Sequence, residues 1–162
     1  MRFFLSLAPE LCYDSKNDSG WPRSRKDATN MKKEMPSPDQ WLREAKADPA
    51  AQGCGMYLMH NGVVRRTAKA QVRQGVRDAA PVRGMRFGYD AEKADQAIAA
   101  ARAMPGIGYV RVWLNEGELT LGDDIMLVLI GGDIRPHVVD ALQTLVGTLK
   151  NECVTEEEIY ET

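Results

Sequence analysis

Cysteine is scarce in this chain: Cys12, Cys54 and Cys153 are an odd number, and no two of them form a Cys-x-x-Cys pair. That excludes a disulfide framework, gives no zinc-binding spacing, and fits a reducing cytoplasm. Histidine is scarcer still. His60 and His137 stand at ligand spacing neither to each other nor to a carboxylate pair, so neither a metal nor a cofactor is expected. Long hydrophobic runs are missing as well. The longest, Ile125 to Ile130, is far too short to span a bilayer, and the Phe3-Phe4-Leu5 patch is brief and follows one arginine; neither a membrane helix nor a secretory leader is expected. Gly106-Ile107-Gly108 precedes a strand pattern instead of following one, which removes a dinucleotide loop. Ser-His-Asp catalysis has no local signature.

What is present is charge, unevenly spread. The net charge is −2, yet Arg65, Arg66, Lys69, Arg73, Arg77, Arg83 and Arg86 crowd one stretch against the single acid Asp78. The C-terminal end reverses the sign with Glu152, Glu156, Glu157, Glu158 and Glu161. A basic face and an acidic tail follow from this pattern, and a solvated surface explains each run as well as a function does. The acidic balance and the lack of aromatic interleaving argue against a nucleic-acid partner. Trp41 and Trp113 read as core or interface anchors.

The 162 residues suit one domain plus a tail, long enough to bury a core without staples. Residues 1–35 are too polar and aperiodic to bury a core, so an extension without fixed structure is expected there, with Met31 or Met35 as an alternative natural start, and a domain over 36–162. Ser37-Pro38-Asp39-Gln40 reads as a capping box opening a helix to Ala47. Gly55 to His60 reads as a strand, and the alternation of Met85, Phe87 and Tyr89 as a second. Asp90 caps a helix whose Ala94, Ala97, Ile98, Ala101 and Met104 share a face until Pro105-Gly106 stops it. Val110, Val112 and Leu114 line another strand. Residues 115–124 turn the chain into Ile125 to Ile130, which is apolar on both faces and so reads as central. Val138, Leu142, Leu145 and Leu149 stripe the last helix. A leading helix followed by β-β-α-β-β-α gives an α+β layer fold.

The chemistry concentrates at the two ends of the last helix. Gly131-Gly132-Asp133 before its start leaves backbone amides beside Arg135, which suits an anion such as phosphate; the alternative is an ordinary turn in which Asp133 caps the helix and pairs with Arg135. Lys150 lies at the far end. A straight helix separates Arg135 from Lys150 by roughly 22 Å at about 1.5 Å per residue, so one small substrate can meet both only if a second subunit joins the two ends.

Gly117-Glu118-Leu119-Thr120-Leu121-Gly122-Asp123-Asp124, the apolar strand, the helix-start arginine and the helix-end lysine, together with Gly62-Val63-Val64-Arg65 upstream, resemble the large, catalytic subunit of molybdopterin synthase over Gly53 to Cys153. The resemblance implies an α/β hammerhead-like fold with two main helices, and a homodimer that forms a heterotetramer with a small ubiquitin-like sulfur carrier ending in Gly-Gly. It also implies sulfur transfer from that carrier's thiocarboxylate to cyclic pyranopterin monophosphate. It gives Lys150 the catalytic role and gives Arg135, Arg65, Gly131 and Gly132 to the pterin phosphate, with Arg66 and Lys69 as helpers that no motif supports. Three positions depart from the family pattern: Val63 and Ile134 stand where cations are usual, and the second lysine expected after Lys150 falls in the Glu156-Glu157-Glu158 run. These departures keep open a second reading, a non-catalytic homodimer that binds a pterin phosphate or a protein.

Overall fold

A computed structural model describes residues 32–162; most of the expected N-terminal extension lies outside them. The elements are α1 (Pro38–Ala47), β1 (Met56–Val63), α2 (Lys69–Gln74), β2 (Val82–Tyr89), α3 (Ala91–Arg102), β3 (Ile107–Leu114), β4 (Gly117–Thr120), β5 (Asp124–Gly132), α4 (Arg135–Thr148) and β6 (Val154–Tyr160). They build two antiparallel sheets, ordered β1-β5-β3 and β4-β2-β6. The α+β class holds, with α3 and α4 as the two main helices.

Strand β5 is central, as its two-sided apolar run requires. Leu127 and Leu129 meet Trp41 and Ala45 of α1 on one face, while Met126, Val128 and Ile130 join the larger core on the other. That core also takes Ala94, Ala97, Ile98 and Ala101 from α3, Val138, Ala141 and Leu145 from α4, and Met85, Phe87 and Leu119 from the second sheet. Each fully buried large aliphatic contributes about 1.5–3 kcal/mol. On β1, Met56 and Leu58 face this core, and Tyr57 and Met59 face α1.

Helix α1 starts at Pro38 with Ser37 Oγ accepting the Gln40 amide at 3.3 Å. The capping box is only half made, because the Gln40 side chain donates to Glu44 Oε1 at 2.7 Å instead of reaching back. Trp41 is buried in the core, with the Arg111 guanidinium 4.5 Å from its ring centroid. The residues just before α1 are tied down: the Lys33 amide donates to Oδ1 of the buried Asn115 at 2.8 Å, and the Lys32 ammonium meets Asp123.

Three elements depart from the sequence expectation. Helix α2 is two turns of the basic stretch with no buried residue, so it has no apolar stripe to announce it. Strand β4 is four residues with one fully buried side chain, Leu119. Strand β6 is the acidic segment itself, paired antiparallel with β2 along Tyr89↔Val154 to Gly84↔Ile159. Glutamates disfavour a strand, but cross-strand partners of opposite charge offset that. The expected separate basic face and acidic tail are corrected accordingly: the two runs are folded against each other.

Gly132 is pinned by close approach. A Cβ there sits 2.7 Å from the Gly106 carbonyl oxygen and 2.7 Å from Val138 Cγ2. Gly132→Ala is expected to destabilise the fold by about 1–3 kcal/mol through overpacking. Gly147, inside α4, has nothing within 4 Å of its Cβ position, so Gly147→Ala is expected to stabilise by about 0.5–1 kcal/mol. Urea denaturation of both variants beside the unaltered chain checks the opposite signs.

Candidate functional site

The start of α4 carries Arg135, exposed and without a hydrogen-bond or ion-pair partner among the described residues. Ile134 is the N-cap, extended and offering no side-chain cap, and Pro136 stands in the first turn with no amide to give. The Arg135 and His137 amides therefore stay free for an acceptor at the positive helix end. Asp133 does not pair with Arg135. Its Oδ1 accepts the Ile134 amide at 2.6 Å and meets His137 Nδ1 at 2.7 Å. The His137 contact, ahead of the Ile134 amide, holds the Asp133 carboxyl below the usual carboxylate range.

Gly131 and Gly132 belong to β5 and are buried. The space a Cβ would fill at Gly131 is taken by the Tyr57 ring at 2.5 Å and Cys54 Sγ at 3.1 Å. The Gly132 space is closed by Gly106 and Val138. Protein packing by itself requires glycine at both positions, whatever the outcome for the expected phosphate cradle at Gly131-Gly132. The amides that remain for an anion are those one turn further, at Arg135 and His137.

At the other end, regular α4 stops at Thr148, and Leu149–Cys153 continue as a π turn that carries Lys150. Its Nζ meets Glu156 Oε1 on β6 at 2.5 Å, with the Glu156 side chain 12% exposed. Glu156 Oε2 faces Lys69 Nζ of α2 at 3.7 Å. The basic stretch continues onto β6 in the same way: Arg86 pairs with Glu157 at 3.5 Å, and Arg66 with Glu161 at 3.2 Å. The pairs nearer solvent contribute about 0–1 kcal/mol each.

His60, on the same strand positions as Met56 and Leu58, faces the α4 side of β1. Its Nε2 is buried with no hydrogen-bond partner among the described residues. Burial first, and the Lys150 charge second, push its pKa below the ordinary imidazole range. Arg65 lies just past β1, exposed, with Nε donating to the Thr67 carbonyl at 3.0 Å. The fold thus groups Lys150 with Lys69, Glu156 and His60, and leaves Arg65 and Arg135 outside that group. Glu156 and His60 were not among the sequence-derived candidates. The sign reversal between Arg86 and Glu156 was the available signal for the first, and nothing in the sequence marked the second.

An open cleft of about 470 Å³ lies between α1 and β1, lined by Leu42, Lys46, Met56, Tyr57 and Met59; it holds none of the site candidates. Among the described residues no group of three or more His, Cys, Asp or Glu is placed to hold a metal ion, and no helix is long and apolar enough to cross a membrane.

The family model described as MoaE protein matches residues 31–152. Solved structures share the fold at low identity. Molybdopterin synthase from Staphylococcus aureus superposes with a TM-score of 0.60 at 15% identity, covering 79% of this chain and 88% of that one. The molybdopterin biosynthesis MoaE protein from Burkholderia ambifaria MC40-6 gives 0.58 at 17% identity, with 79% and 82% covered. A complex of subunits 1 and 2 of molybdopterin-converting factor from Helicobacter pylori 26695 gives 0.53 at 13%, with 76% and 83% covered. No curated protein matches the chain.

Because the folded pKa of His60 is depressed, its neutral form contributes stability that is present above the unfolded imidazole value and is lost as pH falls toward and through the folded one. An imidazole titration followed by NMR is expected to place His60 below a solvent-exposed histidine. Lys150→Met is expected to move it part of the way back, since burial remains. A midpoint unmoved by that change would mean the Lys150 charge does not reach His60.

Proposed function

This chain belongs to the MoaE protein family, whose role is in molybdenum cofactor biosynthesis, and from that premise we propose that it is the large, sulfur-transferring subunit of a molybdopterin synthase. The substrate is cyclic pyranopterin monophosphate. The sulfur comes from the C-terminal Gly-Gly thiocarboxylate of a small ubiquitin-like partner, in two transfers that build the dithiolene. The two-subunit complex from Helicobacter pylori supports such a partner. The domain that does this spans residues 36–162 and acts in the cytoplasm.

The observation that carries the reading is the placement of Lys150: a half-buried ammonium at the end of α4, held by a carboxylate from another element and backed by a neutral imidazole. An amine so placed suits a carbonyl or thioester, whereas the Arg135 and Arg65 guanidinium forks suit a phosphate. Arg135 and Lys150 sit at opposite ends of α4, so both serve one substrate only across a dimer. The protein contributes positioning and charge, and the partner contributes the sulfur.

A second reading is favoured by one specific feature. Glu156 neutralises Lys150 within the chain, and Glu157 engages Arg86, which suits a homodimer that binds a pterin phosphate or a protein without turning it over.

Lys150→Arg separates the two readings. A guanidinium keeps the charge but neither transfers a proton nor fits a carbonyl as an amine does, so ligand binding is expected to survive while single-turnover dithiolene formation falls at least about a hundredfold. Equal rates for mutant and wild type, or no turnover by wild type with a competent thiocarboxylated partner, would install the binding reading instead. Arg135→Ala is expected to weaken binding of a phosphorylated pterin by about 1.5–3 kcal/mol, measured by calorimetry. Light scattering at micromolar concentration is expected to show a dimer; a monomer would assign Arg135 and Lys150 to different sites.

A further inference from the structure

Lys69 and Lys150 come from elements far apart in sequence and take the two different oxygens of one carboxylate. Lys150 Nζ lies 2.5 Å from Glu156 Oε1, and Lys69 Nζ lies 3.7 Å from Glu156 Oε2. The carboxylate is 12% exposed, while the Lys69 side chain is 50% exposed and that of Lys150 27%. The acid therefore lies beneath two ammonium groups that reach it from the solvent side. The arrangement is anchored on both flanks. The Lys69 amide donates to both oxygens of Glu158, at 2.9 and 3.2 Å, which fixes α2 to β6. Glu158 is further engaged by the Tyr160 hydroxyl at 2.9 Å, so it does not compete for either ammonium. Beside Lys150, the unpartnered Nε2 of His60 adds no charge.

We infer that Lys69 and Lys150 form one carboxylate-binding pair, that Glu156 is its built-in occupant, and that the pair exchanges Glu156 for the C-terminal carboxylate of an extended partner tail. This rests on the sulfur-transfer reading for the identity of the tail, but the chemistry is set by the pair itself, which already holds a carboxylate. Exchange substitutes one carboxylate for another, so the ion pairing changes little. The expelled side chain has water to enter, because the Lys69 and Lys150 side chains that cover it are themselves 50% and 27% exposed. Glu156 competes as part of the same chain, so it lowers the affinity for any tail and, by returning, releases a tail that has become a plain carboxylate. Lys69 is then a second recognition residue for the tail, and Glu156 a positioning residue for Lys150.

The test uses the whole protein and two synthetic peptides ending in Gly-Gly, one with a free carboxylate and one amidated, with affinities from calorimetry. Wild type is expected to prefer the carboxylate by about tenfold or more, the low end for a charge-assisted hydrogen bond. Lys69→Gln is expected to remove most of that preference and leave the amide unchanged, and Lys69→Arg, which keeps the charge and α2, to restore it. Glu156→Gln is expected to tighten the carboxylate about tenfold by removing the competitor. A Lys69→Gln protein that keeps the full preference, a Glu156→Gln protein that binds the carboxylate more weakly, or a wild type that binds neither peptide overturns the exchange site. The outcomes separate the two proposals. Turnover by wild type with the preference unmoved in Lys69→Gln sinks the exchange and leaves sulfur transfer standing. The expected peptide responses without turnover keep the exchange and remove sulfur transfer.

Discussion

The rest of the molecule depends on covering β5 on both faces. An antiparallel strand with Leu127 and Leu129 on one side and Met126, Val128 and Ile130 on the other has no face to give to water. Helix α1 is recruited to the first side, and α3, α4 and the second sheet to the other. Because β5 runs directly into α4, that coverage also fixes the catalytic candidates. The strand end at Gly132 lies so close to Val138 and Gly106 that only glycine fits, which sets the take-off of α4. Arg135 is thereby held just past the end of the central strand and Lys150 is delivered to the far end of the helix.

The second determinant is electrostatic. Strand β6 would be a poor strand on propensity alone, since three successive glutamates place charge on both of its faces. Cations from β2, from α2 and from the segment before α2 compensate, and the same pairs that hold β6 against β2 place Glu156 on Lys150 and Lys69. Structure and candidate chemistry therefore share one set of ion pairs. Exposed pairs of this kind are weak individually, whereas Glu156 lies mostly out of water and depends on its partners more heavily.

Much of this was legible in the sequence, and the parts that were not share a cause. The α1 boundary, the Asp90 cap of α3, the central place of β5 and the apolar stripe of α4 all leave periodic or capping signals that local physics reads directly. At Gly131-Gly132 local pattern runs out, because a glycine that admits a ligand and a glycine that admits a tyrosine ring are the same letter; only the neighbours distinguish them. Strands β4 and β6 and helix α2 were missed because a single buried leucine, or none, leaves no period to detect. The Glu156 contacts to Lys150 and Lys69 are tertiary: they connect residues that local pattern has no means to relate.

The departures from the family pattern acquire a physical sense once exposure is known. Val63 and Ile134 stand where the family usually has cations, and both are large aliphatics left in water, at 48% and 52% exposure. Each lies within two residues of a site arginine, Arg65 and Arg135. A single exposed aliphatic means little, but replacing a charge by one removes the cost of desolvating that position. Completing the burial of such a half-exposed side chain contributes about 0.8–1.5 kcal/mol, half the range for full burial. In the dimer proposed above, aliphatics at these positions cost less to bury beside Arg65 and Arg135 than charges do. Lys69, by contrast, reaches Glu156 beside Lys150 only through the fold, so a count of charges along the motif does not find it.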